Sequence, residues 1–300
     1  MKRLSMIGLL VMAFGMGPGA VRAAETVLVL SSDEPEYQAV AAGFKNAFAG
    51  TFREINLEGS DLKLKTVGEQ LQASPPGVAV VVGDLAVQMA KWYLGGVPVI
   101  YCAAVRAAQL SLSNSVGIYH EPAPEEQAKT IQQVFPGKNR VGLLYCPAYA
   151  RINEVELKKQ AQALGLALEI TALDSIKEVP VKFRELIPKV NLLWIFTDPV
   201  VLSSHSIQYL VLQSISAGVP IFCGDNHLAH LGATAAMTPD QADVGSKAAR
   251  LAQQLLGGPK PAPGTILYPK GKLVLNQKIA DLLKISFPAP LLSQAQELIQ

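Results

Sequence analysis

Long apolar runs are almost missing from this chain of 300 residues. Only residues 4–16 (LSMIGLLVMAFGM) form one, and they are too few for a comfortable membrane span. Lys2 and Arg3 precede the run and Val21-Arg22-Ala23 follows it, the layout of a secretory signal (residues 1–23) cleaved after Ala23 or Ala24. No cysteine stands at that processing site, so no lipid anchor is expected. The mature protein is expected to be soluble, exported and periplasmic. Basic runs are absent too, as are basic patches interleaved with aromatics, so nucleic acid is not an expected partner. Cysteine is scarce: Cys102, Cys146 and Cys223 are an odd set, which leaves at least one thiol unpaired within a single chain. A disulfide scaffold is thereby excluded. The chain also lacks a Gly-x-Ser-x-Gly elbow, a His-Glu-x-x-His pair and a phosphate loop, so no enzyme activity and no cofactor are expected. Ser203-Ser204-His205 reads as a local cluster at a helix start.

What is present is a regular alternation. Residues 27–31 (VLVLS) are a continuous apolar run, as a strand buried on both faces requires. Tyr37, Val40, Ala41, Phe44 and Phe48 then recur at helical spacing. A strand at 52–57, a helix stopped by Pro75-Pro76, the run VAVVV (78–82), a helix at 85–94 and VPVIYC (97–102) complete a first series. After a Ser-rich break at 109–116 a second series begins with a helix from Pro124 to Phe135. Strands follow at 141–145, 166–170, 192–197 and 219–223, with helices at 152–164 and 204–217 between them. Thr238-Pro239-Asp240-Gln241 reads as a capping box opening one more helix, which runs to Gly257-Gly258. Alternation of this kind predicts parallel sheets with helices on both faces. Two series predict two doubly wound α/β lobes, with ligands bound beyond the carboxyl ends of the strands.

Several stretches carry a family resemblance: "FPGKNRVGLLYCP", "LLWIFTDPVV", "SISAGVPIFCGDNHLAHLGATAAM", "DVGSKAARLAQQLLGGPKP" and "LVLNQKIADLLKISFP". In their order and spacing the chain resembles periplasmic substrate-binding proteins of ABC importers, in the branch associated with tryptophan and related aromatic amino acids. The resemblance implies a type I periplasmic-binding (Venus-flytrap) fold, its two lobes joined by three crossovers. Lobe one would comprise 24–116 and 236–260, and lobe two 117–235 and 261–300. It implies a monomer that closes on a small-molecule ligand and a partner ABC permease in the inner membrane. A membrane sensor or kinase is the alternative partner, because it needs the same closing cleft.

The candidate binding residues all follow strand ends. Asp198 suits an ammonium group or caps the next helix, and Thr197-Asp198 matches a Thr-Asp pair that the family uses. Asp225 fits the family too, with a turn aspartate as the alternative. Ser31 and Ser32 offer hydroxyls at a helix start for a carboxylate, or serve as caps. Gly83, Asp84 and Ala103 end their own strands; Asp84 either meets a ligand cation or caps helix 85–94. Residues 146–151 (CPAYAR) are expected to wall the cleft. The family's polar run is replaced there, Arg151 being able to clamp a carboxylate and Tyr149 to stack on a planar ligand. Arg106-Ala107-Ala108 stands where the family has Thr-Asp-Pro, so the ligand is left as an amino acid or a related aromatic or carboxylate compound. A metal or haem-type site is the remaining alternative. It would use the three cysteines with His227 and His230, but these positions lack a compact ligand spacing.

Overall fold

The computed structural model describes residues 25–300 except Ser111, Ser113, Arg151 and the side chain of Ala108. The export signal at 1–23 and the Arg151 clamp therefore lie outside the described residues. In the first half, β1 (Thr26–Leu30), α1 (Pro35–Ala47), β2 (Phe52–Asn56), α2 (Asp61–Ala73), β3 (Val78–Val82), α3 (Asp84–Tyr93) and β4 (Val99–Cys102) alternate as the pattern requires. The short α4 (Ala107–Leu110) leads into β5 (Ser115–Ile118). The expected break at 109–116 thus overlaps α4 at its start and β5 at its end, and the passage to the second half comes after β5. Its opening serine is kept satisfied by donating from Oγ to the Leu112 carbonyl at 2.9 Å.

The second half runs α5 (Pro124–Val134), β6 (Arg140–Tyr145), α6 (Glu154–Ala163), β7 (Ala167–Ala172), α7 (Val179–Leu186) and β8 (Leu192–Ile195). It continues through α8 (Ile207–Ser216), β9 (Ile221–Cys223), α9 (Asn226–Leu231) and β10 (Ala235–Pro239). Then come α10 (Gln241–Gly257), β11 (Ile266–Leu267), β12 (Gly271–Asn276), α11 (Gln277–Leu282), α12 (Ala289–Gln294) and β13 (Glu297–Ile299). One sheet has the order β11-β5-β4-β3-β1-β2 and is parallel throughout. The other is ordered β13-β12-β10-β9-β8-β6-β7, with β10 and β12 its antiparallel pair.

Both sheets are buried on both faces, which explains the unbroken apolar runs. Leu28 and Leu30 of β1 face a core shared with α1 and α10, through Phe44 and Ala248. Val27 and Val29 point the opposite way, to α2 and α3, through Leu71 and Met89. In the second sheet Trp194 packs with the α5 and α6 side, whereas Leu193 and Ile195 pack with α7 and α8. A side-chain period of two in a strand makes this division compulsory.

The chain passes between sheets three times: after β5, between β10 and α10, and between β11 and β12. The sheets divide it differently from the expected boundaries, because β10 pairs with β9 in the second sheet and β11 with β5 in the first. The three passages run side by side and are bonded to one another. Tyr119 N–H donates to the Leu267 carbonyl (2.8 Å), Asp240 N–H to the Lys270 carbonyl (2.8 Å) and Lys270 N–H to Asp243 Oδ2 (3.0 Å). The Tyr119 and Tyr268 rings meet edge on, 5.4 Å apart. No helix among the described residues is long and apolar enough to cross a membrane.

Candidate functional site

A cleft of about 490 Å³ opens where the carboxyl ends of strands from the two sheets come together beside these passages. From the first sheet it takes Glu36 and Tyr37 at the start of α1 and Ala103 after β4. From the second it takes Thr197 after β8 and Gly224, Asp225 and Asn226 after β9. His120 lines it from the first passage, Gln241 from the second, and Lys272, Gln296 and Glu297 close its far side. This volume is in the range of sites that hold a single small molecule.

Among the expected residues, the cleft brings Ala103, Thr197 and Asp225 together. Ala103 holds a left-handed backbone with φ of 49°, which L-residues adopt at a cost and which clusters at functional sites. Asp225 caps α9, its Oδ1 accepting the Leu228 N–H at 2.6 Å.

The other expected residues that are described do not line this cleft. Asp198 is buried, and its carboxylate accepts the backbone N–H groups of Cys146, Val200 (2.8 Å) and Val201 (3.3 Å). Loss of hydration by burial raises its pKa, and those three N–H bonds counter the rise. It does not line the cleft and does not cap α8, which starts at Ile207; it closes the turn at 198–202 and ties the end of β6 to the end of β8. Ser31 Oγ donates to the Val82 carbonyl (2.8 Å) and accepts from Ala86 N–H (3.0 Å), locking β1 to β3 and to the first turn of α3. Ser32 Oγ is buried without a hydrogen-bond partner. Gly83 turns the chain into α3 at φ of 85°, and a Cβ there would stand 2.5 Å from Ser31 Oγ. Asp84 accepts the Arg106 N–H at 2.8 Å, fastening the start of α3 to the loop after β4. Residues 146–150 of the expected wall are not among the described cleft residues. Tyr149 instead closes a turn, donating from its N–H to the Cys146 carbonyl at 3.0 Å.

The side chain missed altogether is Glu121. It is 0% exposed, directly behind the cleft. Its carboxylate accepts from Thr197 N–H and, at 3.2 Å, from Gln127 Nε2. The Gln127 carbonyl oxygen in turn takes the Trp194 indole N–H at 2.9 Å. Gly224 lies against the same carboxylate, and a Cβ on it would collide with Glu121. Burial pushes Glu121 up to about 7, the bonds from Thr197 and Gln127 hold it down, and the charge of Asp225 adds to the rise. Beside it, burial pushes the His120 imidazole down to about 4, against a hydrogen bond with the Thr197 backbone. Glu36 was missed as well, although it follows β1 just as the expected residues follow their strands. It stays open to solvent at the cleft mouth, and its pKa is raised by lost hydration and then by Asp225.

All three cysteines are buried and free. Among the described residues no three His, Cys, Asp or Glu side chains converge as metal ligands.

Solved structures share this architecture. A protein from Streptococcus pneumoniae described as an ABC domain in complex with L-Trp is 24% identical, with a TM-score of 0.64 over 92% of this chain and 99% of that one. A ligand-free, open substrate-binding protein with adhesive properties from Clostridium difficile is 15% identical, with a TM-score of 0.68 over 92% and 99%. A conserved domain protein from Vibrio cholerae is 19% identical, with a TM-score of 0.62 over 92% and 100%. These likenesses establish the two-sheet fold. No curated protein sequence matches the chain. The family model described as "ABC transporter substrate binding protein", however, matches residues 40–299. A match of that extent, on a chain that folds in this way, makes it a member of the ABC transporter substrate-binding protein family, a family of binding proteins rather than of enzymes.

Proposed function

We propose that the chain is the periplasmic solute receptor of an ABC importer, trapping one small solute of about amino-acid size between two lobes that close around the bonded passages. The lobes correspond to the two sheets with their helices: residues 26–118 with 241–267, and 121–239 with 271–299. The observation that carries the reading is the position of the cleft, flanked by strand ends of both sheets and lined by His120 and Gln241 from two of the three passages. A ligand there touches both lobes, so its binding energy favours the closed arrangement over the open one. The Clostridium difficile structure being ligand-free and open, and the Streptococcus pneumoniae one being a complex with L-Trp, support the same cycle. A charged start followed by a short apolar run supports export.

The test joins thermal unfolding with small-angle scattering on the monomeric mature chain. The panel holds the L-amino acids, aromatic acids, nucleosides and aliphatic diamines. At a hundredfold excess over Kd, one class is expected to stabilise the protein by about 2.7 kcal/mol and to shrink its radius of gyration. Stabilisation without compaction would overturn the closing cleft, and a panel with no saturable response would overturn the receptor reading.

A further inference from the structure

We infer that the cleft selects a small organic cation, an amine or guanidinium compound that carries no carboxylate of its own. This rests on the receptor reading and concerns the charge of the solute. Four carboxylates stand in or directly behind the cleft: Glu36, Asp225 and Glu297 on its walls and Glu121 beneath Gly224. Glu297 is paired with His230 at 2.7 Å. Lys272 is the one Lys or Arg among the described cleft residues, and Asp240 engages it at 3.2 Å. Glu36 and Asp225 thus face the space with no cationic side chain paired to either among the described residues.

A second observation is independent of charge. The side-chain carbonyl oxygens of Asn226 and Gln241, both cleft residues, are shielded from solvent and have no hydrogen-bond partner among the described residues. Buried acceptors left in this state are costly, and a side-chain rotation that turned either oxygen into the cleft would offer it to a ligand rich in N–H donors. Two carboxylates without a cationic partner and two unpaired amide oxygens, among the described residues, match an ammonium or guanidinium group and oppose a carboxylate. A zwitterion would have to set its carboxylate against the same acidic wall. A bare metal ion is a poor match, because no three ligating side chains converge among the described residues and the space is about 490 Å³.

Titration calorimetry of the mature chain with 1,4-diaminobutane and agmatine, with L-tryptophan and L-leucine, and with indole-3-acetate tests this directly. The two cations are expected to bind saturably and the anion not at all. Asp225→Asn retains a side chain that can cap α9, so it tests charge with the fold kept. Asp225→Asn and Glu36→Gln should each weaken cation binding by about ten- to a hundredfold. If L-tryptophan, L-leucine or indole-3-acetate binds more tightly than the cations, and Asp225→Asn leaves that binding intact or improves it, the inference fails while the receptor reading stands. A response to zinc or calcium chloride alone overturns the organic class. Silence from every compound overturns the receptor reading and the inference with it.

Discussion

Replacing Glu121 by Gln keeps the shape of the side chain and removes its charge, which makes stability against pH the informative measurement. The carboxyl titrates from 4.5 in the unfolded chain and near 7 in the folded protein. Between those values the folded state holds the proton that the unfolded state has released. Stability therefore falls as pH rises through this window, and the cost is fully present above about 7. At 1.36 kcal/mol per pH decade the loss comes to about 3 kcal/mol. His120 works in the opposite sense. Its folded value near 4 lies below the unfolded 6.5, so the folded state binds fewer protons in between and stability rises with pH there. The two neighbours partly cancel, and the wild-type profile should be flatter than either group alone would make it. In Glu121→Gln only the rise remains. Relative to wild type, the variant should be nearly equal at pH 4.5 and about 3 kcal/mol more stable at pH 8. Urea unfolding followed through the buried Trp194 at half-unit pH intervals measures this difference. A gap between the two proteins that stays constant from pH 4.5 to 8 would refute the account of Glu121 as a carboxyl whose buried charge is costly.

Two further outcomes follow from the framework residues. Asp198→Ala should lower stability by roughly 2–4 kcal/mol in urea unfolding, through lost turn bonds and an orphaned Cys146 N–H, and should leave the affinity for 1,4-diaminobutane unchanged. Burial pushes the Cys102 thiol up to about 12 and Cys223 higher still, so neither should react with Ellman's reagent at pH 8 until the protein is unfolded; rapid native labelling mapped to either one by mass spectrometry would count against that burial.

The parts of the fold that were legible in the sequence are those whose signal is local. VAVVV could only be a strand covered on both faces, and Thr238-Pro239-Asp240-Gln241 announces α10, although the cap is Asp240, which accepts the Ala242 N–H at 3.1 Å, while Thr238 and Pro239 end β10 instead of opening the helix. β5 was read as a break because serines suggest a loop and four residues are too few to show a period. The antiparallel β12 and the two-residue β11 are set by partners far along the chain and escape a reading based on repeating strand–helix units. Within the site, the strand-end rule located Ala103, Thr197 and Asp225, but it could not separate a carboxylate facing the cleft from one spent on backbone N–H groups. Asp198 and Asp225 look alike in sequence, and only the meeting of β6 with β8 consumes the first. Glu36 was not singled out, because an acid in the first turn of a helix, where it stands in α1, is ordinary. Glu121 gave no warning at all, since its burial is produced by Thr197, Gly224 and Gln127 arriving from three other segments.

The final strand has a consequence of its own. β13 joins the second sheet through three residue pairs with β12, and the same three-residue strand sets Glu297 on the rim while Gln296 N–H donates to the Leu273 carbonyl at 2.8 Å. It is a latch at the sheet edge, and short edge elements are among the first to open in local unfolding. Hydrogen exchange at 296–299 should accordingly report the occupancy of the cleft. Bound solute would hold the latch shut and slow exchange, while an empty cleft would let it fray long before either core yields.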